Sequence, residues 1–326
     1  MMFDLLTVGD IKLDAFISIP EKGASLNKTS KGDMLCIPNG VKNIVTDTDL
    51  QVAGSAPNVA IGVSKMRKQT SIYAQMGDSI FHEMAIAHLK KYKVDASLLR
   101  ADPKLEHAFA AVLNYRGEST QLVTQTDVAY RLPKKLPSIE WFHLSELGSK
   151  YKALYGDLVA YKKSHGTRIS FNPGLVQINE RSRPFLKLIK YTDILFVNWQ
   201  EAHMTLRAKK KLSPKTLLTR LHALGANYVV VTDGRNGAYA FDGSQLDFAP
   251  MFPGPRVEAT GAGDAFTSGF LGAVMHGKHH DEALKWAAVN AASAVFHVGP
   301  TAGLLSHTQI KKRLKANPSY KTIEIN

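Results

Sequence analysis

The sequence predicts an α/β fold in which a mostly parallel sheet carries helices on both faces. Short β-branched runs that read as buried strands alternate with longer segments of helical periodicity, an alternation typical of βαβ units. We expect Ser55 to cap the helix over 56–66, with Pro57 in its first turn. The predicted strands cover 5–8, 169–171, 194–197 and 228–232. The predicted helices cover 56–66, 81–92, 152–164, 214–224 and 265–276.

Two segments interrupt this alternation. Residues 12–39 contain strand-like pieces around a polar stretch, and residues 107–126 contain two more around a turn at 116–118. Both segments are typical of antiparallel hairpins, and together they predict a small sheet over one end of the α/β core that acts as a lid. Since no linker divides the chain, we expect one domain over 1–326 with this lid inserted in it.

The composition is that of an ordinary globular protein, with 44% hydrophobic and 21% charged residues. The single cysteine, Cys36, has no partner for an internal disulfide, which suits a reducing compartment. The first residues lack the features of a signal peptide, and no apolar run approaches the roughly 20 residues of a membrane helix. We therefore expect a cytoplasmic protein without a membrane partner.

The chain is basic, with 41 Lys and Arg against 28 Asp and Glu and a formal net charge of +13. Such a charge attracts anions, including nucleotides and nucleic acids. The only local clusters, at 207–211 and 311–313, are interpreted as solvated surfaces, because aromatic residues do not alternate with them as in a single-strand binding groove. A nucleic-acid partner is not expected, although a basic nucleic-acid-binding protein remains a weaker alternative.

The sharpest motif is Glu-Ala-Thr-Gly-Ala-Gly-Asp at 258–264, which runs directly into an apolar helical pattern. Gly261, Ala262 and Gly263 are small enough for their N–H groups to approach an anion at the positive end of the following helix. Asp264 could then accept the proton of a hydroxyl group that attacks a phosphate. The alternative is an aspartate that merely caps a glycine-rich turn.

Several other chemistries lack their motifs. The sequence contains no G-x-x-x-x-G-K-[ST] phosphate loop and no G-x-G-x-x-G after a strand. The twelve histidines do not form H-E-x-x-H or another zinc-binding spacing, and no G-x-S-x-G elbow occurs. The motifs therefore favour phosphoryl transfer over dinucleotide, zinc or serine-hydrolase chemistry.

The 258–264 motif resembles the D-T-x-G-A-G-D signature of the ribokinase (PfkB) family. Four further elements resemble that family in the same order: Ala-Gly-Ser-Ala-Pro-Asn-Val-Ala at 53–60, Asn-Pro-Gly at 172–174, Asn-Trp-Gln-Glu at 198–201 and Thr-Asp-Gly-Arg-Asn-Gly at 232–237. The resemblance spans about residues 4–305. It implies a ribokinase-like three-layer sandwich with a β-sheet lid and transfer of the ATP γ-phosphate to a hydroxyl group, with Mg²⁺ as cofactor and room for a monovalent cation such as K⁺.

The resemblance also implies a role for each matching position. Asp264 is the implied catalytic base, and Gly261, Ala262 and Gly263 form the anion hole. The implied nucleotide-binding residues are Asn198, Glu201, Thr232, Gly234, Gly237, Thr260 and Asn290, of which Asn198 and Glu201 also organise the metal. The implied substrate-binding residues are Asp14, Asn39, Gly54 and Asn58.

Three of these positions also have plainer interpretations. Glu201 could be a carboxylate placed at a helix start by the helix dipole. Asn290 could be a surface asparagine. Asn39, followed by Gly40, could belong only to a hairpin turn.

The sequence departs from the family pattern at three positions. Ala53 replaces the first glycine of the amino-terminal pair, which narrows the substrate site near the backbone. Glu258 replaces the usual aspartate, and Ala259 replaces a threonine and so lacks its hydroxyl group. Contacts to a monovalent cation or to phosphate are therefore expected to differ at 258–259, while the base Asp264 is retained.

A free sugar is the first expected acceptor and a nucleoside the second, since Phe16, Phe109 and Tyr115 could stack on a base. A sugar phosphate is third, suggested by Arg116, Arg131 and the positive charge. A catalytically silent sugar- or nucleotide-binding regulator is an alternative, and the lid edge could pair two chains as a homodimer. With an ordinary aspartate pKa of about 3.9, Asp264 would be a weak base and proton transfer would be late.

Overall fold

Helices and strands alternate along most of the chain in the computed structural model, which describes residues 2–29, 32–105, 108–124, 127–255 and 260–325. The strands are β1 (Met2–Val8), β2 (Lys12–Ser18), β3 (Ser25–Thr29), β4 (Gly32–Cys36), β5 (Asp47–Ala53), β6 (Thr70–Gly77), β7 (Asp95–Asp102), β8 (Phe109–Tyr115), β9 (Glu118–Val123), β10 (Ser138–Leu144), β11 (Arg168–Phe171), β12 (Ile194–Asn198), β13 (Tyr228–Thr232), β14 (Ala238–Phe241), β15 (Leu246–Ala249) and β16 (Ile323–Glu324). The helices are α1 (Ser55–Lys65), α2 (Ile80–Lys91), α3 (Lys152–His165), α4 (Leu175–Glu180), α5 (Arg183–Ile189), α6 (Trp199–Leu206), α7 (Pro214–His222), α8 (Ala262–Met275), α9 (His280–Ala294) and α10 (His307–Ala316).

The large sheet has the strand order β16-β15-β14-β13-β12-β11-β10-β1-β6-β7. Its neighbours are parallel from β7 to β13, and the last three pairs, from β13 to β16, are antiparallel. The predicted mostly parallel sheet is confirmed. Its central strands are apolar on both faces, as expected when helices cover both.

Helices cover both faces of this sheet and give it three layers. On one face, Leu158 of α3, Phe185 of α5 and Leu217 of α7 belong to one buried cluster with the sheet. On the other face, Phe270 of α8 and Val289 of α9 belong to a second cluster. The predicted three-layer architecture is therefore confirmed.

Glycines allow α1 and α9 to pack closely against α8. A Cβ atom on Gly62 of α1 would overlap the Ser268 side chain of α8, and one on Gly269 would lie 2.8 Å from Cα of Ala287 in α9. Close packing of this kind is felt even when a single methyl group is added. The contact between α1 and α8 brings the amino-terminal turns of these two helices together.

Two helix starts differ from the prediction. The N-cap of α1 is Gly54, with φ of 120°, so Ser55 is the first helical residue and not the cap. Helix α8 begins at Ala262, three residues before the predicted start, because Gly261 adopts the left-handed conformation with φ of 74° and turns the chain into the helix. Asp264 consequently lies in the first turn of α8.

A second sheet has the order β5-β2-β8-β9. Strand β2 pairs antiparallel with β5 and parallel with β8, and β8–β9 is a hairpin whose turn residues Arg116 and Gly117 have φ of 51° and 79°. The turn at 116–118 is confirmed. Residues 12–39 do not form one hairpin, since among the described residues β3 and β4 pair with each other and not with β2. The prediction missed β5, because its first residues are polar. Residues 107, 125 and 126 lie outside the described residues.

Within the described ranges, no helix is long and apolar enough to span a bilayer. The basic cluster at 207–211 follows α6 and is largely exposed, and the cluster at 311–313 lies on α10. Both clusters therefore occupy surface positions, as the sequence predicts.

Candidate active site

Polar residues follow the carboxyl ends of neighbouring parallel strands. Asp10 comes after β1, Glu146 after β10 and Asn172 directly after β11, while Asn198 and Thr232 end β12 and β13. Open α/β sheets bind their ligands at this edge. The order of the strands thus gathers residues that are far apart in the sequence along one side of the sheet.

Asp264 lies next to Asn58 at this edge. The Nδ2 atom of Asn58 in α1 donates a hydrogen bond of 2.8 Å to Oδ2 of Asp264. Burial, with a smaller contribution from the negative charge of Glu146, raises the pKa of Asp264 to about 6 against the opposing effects of Asn58, Ser55 and Lys12. The carboxylate is still mostly ionised at neutral pH, and it is a stronger base than the ordinary aspartate assumed from the sequence.

Six of the predicted residues line a single cavity of about 590 Å³. Its apolar wall includes Phe266 of α8 and Ala291 and Val295 from α9 and the turn after it. A cavity of this size with an apolar wall and a few polar groups suits a heteroaromatic ligand. The predicted residues that line it are Asn198, Thr232, Gly234, Gly237, Ala262 and Gly263.

The amino terminus of α8 forms one end of this cavity. The first N–H groups of a helix have no partner within the helix and carry its positive end. A Cβ atom on Gly261 would lie 2.6 Å from Cβ of Pro300, so this position accepts only glycine. Because Ala262 and Gly263 line the cavity and Asp264 follows them, an anion bound here would lie beside the Asp264 carboxylate.

Asn198 and Glu201 cap helix α6. The Asn198 side chain accepts a hydrogen bond of 2.8 Å from N of Glu201, and the Glu201 carboxylate accepts one of 2.9 Å from N of Asn198. Burial and the charge of Glu146 raise the pKa of Glu201. The plainer interpretation of Glu201 therefore holds, and each side chain keeps polar atoms that the cap does not use. Among the described residues, no three His, Cys, Asp or Glu side chains form a metal-binding group.

Asn290 does not line the cavity, nor is it a surface residue. Its side chain is fully buried, where Nδ2 donates to the carbonyl oxygen of Ala265 at 2.8 Å and Oδ1 accepts from N of Leu305 at 2.8 Å. The surface interpretation of Asn290 is wrong, and its side chain joins α9 to α8. Thr260 lies partly exposed in the turn before α8, and positions 258 and 259 lie outside the described residues.

On the substrate side, Asp14 is buried in β2 of the small sheet, 3.9 Å from Nζ of Lys12. A Cβ atom on Gly54 would lie 2.5 Å from the carbonyl oxygen of Asp10, so glycine lets α1 start against the end of β1. Asn39 is exposed in a turn between β4 and β5, which belong to different sheets. The described contacts do not join Asn39 to Asp264, so its substrate role stays a prediction.

Two of the aromatic residues predicted to stack on a base are engaged elsewhere. Phe16 is buried with Ala110 and Val112 in the small sheet. The hydroxyl group of Tyr115 donates to the carbonyl oxygens of Glu21 and Ala24, at 3.1 and 2.7 Å. Phe16 therefore packs within the small sheet, and Tyr115 joins this sheet to the segment that follows β2.

Sequence reasoning missed Asp10 and Glu146. Burial raises the pKa of Asp10 to about 7, although its carboxylate accepts a hydrogen bond of 3.0 Å from the hydroxyl group of Tyr130. Glu146 acts on the pKa values of Asp10, Glu201 and Asp264 through its charge. A signal was present for Asp10, which lies two residues after a predicted strand, whereas the strand before Glu146, β10, was not among the predicted strands.

The chain matches a known family over most of its length. The sequence profile of the pfkB family of carbohydrate kinases matches residues 25–307. A 5-dehydro-2-deoxygluconokinase of Clostridium tetani is 22% identical over 287 residues, which cover 81% of this chain and 84% of the relative. A cytidine kinase of Thermococcus kodakarensis is 29% identical over 157 residues, which cover 47% of this chain and 54% of the relative.

The fold is also found in solved structures. A crystal structure from E. coli, assigned as a ribokinase II in complex with ATP and Mg²⁺, superposes with a TM-score of 0.79 at 19% identity and covers 96% of this chain and 99% of its own. At this identity the match shows a shared fold, which confirms the predicted ribokinase-like fold.

Proposed function

The chain belongs to the pfkB family of carbohydrate kinases, and from this premise we propose that it transfers the γ-phosphate of ATP to a hydroxyl group of a small sugar-like molecule. The observation that carries the proposal is the position of Asp264. Its carboxylate accepts a hydrogen bond from Asn58 and belongs to the first turn of α8, in which Ala262 and Gly263 line the cavity. A phosphate on one side and a hydroxyl group on the other would both be within its reach.

The proposed reaction needs a proton acceptor, groups that stabilise the phosphoryl charge and a residue that orients the acceptor. The hydroxyl oxygen attacks the γ-phosphorus, the bond from that phosphorus to the bridging oxygen of ADP breaks, and the hydroxyl proton passes to Asp264. The N–H groups at the start of α8 stabilise the charge on the transferring phosphoryl group, which is the main requirement of this chemistry. Asn58 orients the Asp264 carboxylate, because its amide donates a hydrogen bond to Oδ2.

ATP fits the cavity of about 590 Å³ with its base against the apolar wall and its phosphates at the start of α8. Bound Mg²⁺ would neutralise part of the phosphate charge. Asn198 and Glu201 would hold it through water, since capping occupies part of each side chain. The partial set of protein ligands is consistent with Mg²⁺, which keeps water and substrate oxygens in its coordination shell. A monovalent cation would depend on residues around 258–259, outside the described part of the chain.

A sugar suits the substrate side better than a base does. Asp14 and Asn58 are buried polar side chains able to bind hydroxyl groups. Phe16 and Tyr115 are already packed or hydrogen-bonded. The identity to a cytidine kinase over about half of the chain keeps a nucleoside as the second candidate.

A sugar phosphate has less support, because both arginines that suggested it have other partners. Arg116 lies 3.9 Å from the carboxylate of Glu21, and Arg131 makes an ion pair of 2.7 Å with Asp157. Each guanidinium group therefore already has a carboxylate partner, which leaves it less suited to bind a substrate phosphate.

The test is ADP release from MgATP with a panel of free sugars, nucleosides and sugar phosphates. Asp264→Asn serves as the blank, and Asp281→Asn, the same change in the first turn of α9, is the matched control. We expect one acceptor to stimulate ADP release by the wild type and by Asp281→Asn but not by Asp264→Asn. A nucleoside preferred over every sugar would reverse the substrate assignment, and stimulation that survives in Asp264→Asn would refute the role of the base.

A further inference from the structure

A second cavity, of about 680 Å³, lies at the β6–β7 edge of the large sheet. Tyr73 and Gln75 of β6, Arg100 of β7 and the segment 129–135 line it. None of the residues assigned to the candidate active site is among them. The cavity is therefore separate from the one assigned to ATP.

The lining is strongly basic. It includes Arg100, Arg131, Lys134 and Lys135. The Arg131 guanidinium makes two hydrogen bonds to Asp157, from Nε at 2.7 Å and from Nη2 at 3.0 Å, so that pair is neutral. Within the described ranges, no carboxylate lies within 4.0 Å of the charged groups of the other three. About three positive charges thus face one cavity without a local counter-charge.

Hydrogen bonds fix the walls of this cavity. The Tyr73 hydroxyl group donates to the carbonyl oxygen of Arg131 at 2.7 Å and accepts from Nε2 of Gln75 at 3.0 Å. The Arg100 guanidinium lies over the Tyr73 ring, 5.6 Å from its centre. The carboxylate of Asp157 also accepts from N of Leu132 at 3.1 Å. These contacts order the part of the cavity formed by β6 and residues 131–132, and the exposed side chains of Arg100, Lys134 and Lys135 lie around it.

We propose that this cavity binds a small polyvalent anion that carries phosphate groups. Its volume lies in the range of about 300–1,000 Å³ that small-molecule sites occupy. A guanidinium group matches two phosphate oxygens, and lysine ammonium groups add compact charge. Nucleic acid is the less suitable ligand, since the free cations converge on one concavity instead of following an extended strand.

The test is calorimetric titration of the full chain with inorganic pyrophosphate, with ADP present to fill the other cavity. We expect Lys134→Gln/Lys135→Gln to weaken pyrophosphate binding about tenfold or more, because each charge-assisted contact contributes roughly that factor. Arg100→Gln is a second, independent variant of the same cavity. Lys209→Gln/Lys210→Gln removes the same charge from an exposed segment elsewhere and should bind as the wild type does.

Equal weakening in the Lys209→Gln/Lys210→Gln control would overturn the proposal, because the effect would then be one of net charge. Absence of pyrophosphate binding by the wild type would also overturn it. So would tighter binding of a short duplex RNA that depends on the same three residues. Since binding is measured directly, the result does not depend on whether the protein phosphorylates any of the tested acceptors.

Discussion

Replacement of Asp264 by asparagine should greatly slow catalysis and stabilise the fold at the same time. The carboxylate is the proposed proton acceptor, and general bases of this kind accelerate reactions about 10²–10⁴-fold. Asparagine has nearly the same shape but cannot take the proton. We therefore expect turnover in Asp264→Asn to fall by about 10²–10⁴-fold, while ATP affinity stays close to that of the wild type.

The stability gain follows from the pKa of Asp264, which burial raises from 3.8 to about 6. This rise of about two pH units corresponds to about 3 kcal/mol. The pKa in the folded state is above the unfolded value, so stability from the protonated group is complete below about pH 4 and is lost as the pH rises through about 6. Asparagine avoids this loss, and its amide could also donate to Oδ1 of Asn58, a buried oxygen without a partner among the described residues.

Urea unfolding at pH 5 and pH 8, beside the ADP-release assay, measures both effects. We expect Asp264→Asn to be more stable than the wild type by about 1–3 kcal/mol at pH 8 and by less at pH 5. The control Asp281→Asn should keep its turnover and gain no stability at pH 8. An inactive Asp264→Asn without any gain at pH 8 would refute the argument that the site holds a desolvated charge. An active one would refute the catalytic role.

The same structure gives three further expectations. Gly62→Ala should lower the free energy of unfolding by about 1–3 kcal/mol because it separates α1 from α8, whereas Gly156→Ala on the open face of α3 should raise it by about 0.5–1 kcal/mol; equal effects in urea unfolding would contradict the packing argument. Asn290→Ala should lower the free energy of unfolding by about 1–3 kcal/mol, because it leaves N of Leu305 without its acceptor. Its ATP affinity, measured by titration calorimetry, should be unchanged. The value of kcat/KM should rise with pH through about 6 as Asp264 ionises and then level off, and a flat profile from pH 5 to 8 would exclude Asp264 as the base.

The fold was predictable where a segment has a regular strand or helix pattern along its whole length. The strand at 228–232 and the helix at 152–164 are long, regular runs, and the structure has both within a residue or two. The start of α8 was not predictable, because the sequence Gly-Ala-Gly is typical of a loop. Only the structure shows that Gly261 turns the chain into the helix at this point. Strand β5 was missed since its polar first half is paired with β2 only in the folded protein.

The sequence identified many residues of the candidate site, but it did not predict the contacts and pKa values of their side chains. The five ordered motifs identified Asn198, Thr232 and Gly263, and all three line one cavity. Asn290 shows the limit, because a helical position reveals which face a residue occupies only when the neighbouring helices are known. The raised pKa values of Asp10 and Asp264 arise from burial and from the approach of Glu146, which no spacing in the sequence contains.

The close packing of α1 against α8 explains how the fold tolerates this site. Asp264 is desolvated, and Oδ1 of Asn58 is buried without a partner among the described residues, so both lower the stability of the folded state. Either helix would relieve these costs by moving away from the other. Contacts such as Gly62 against Ser268 hold the two amino-terminal turns together, since separation would open a void in the core. The glycine contacts between the helices thus keep the proposed base buried, with a raised pKa, beside the α8 N–H groups that are proposed to stabilise the phosphoryl group.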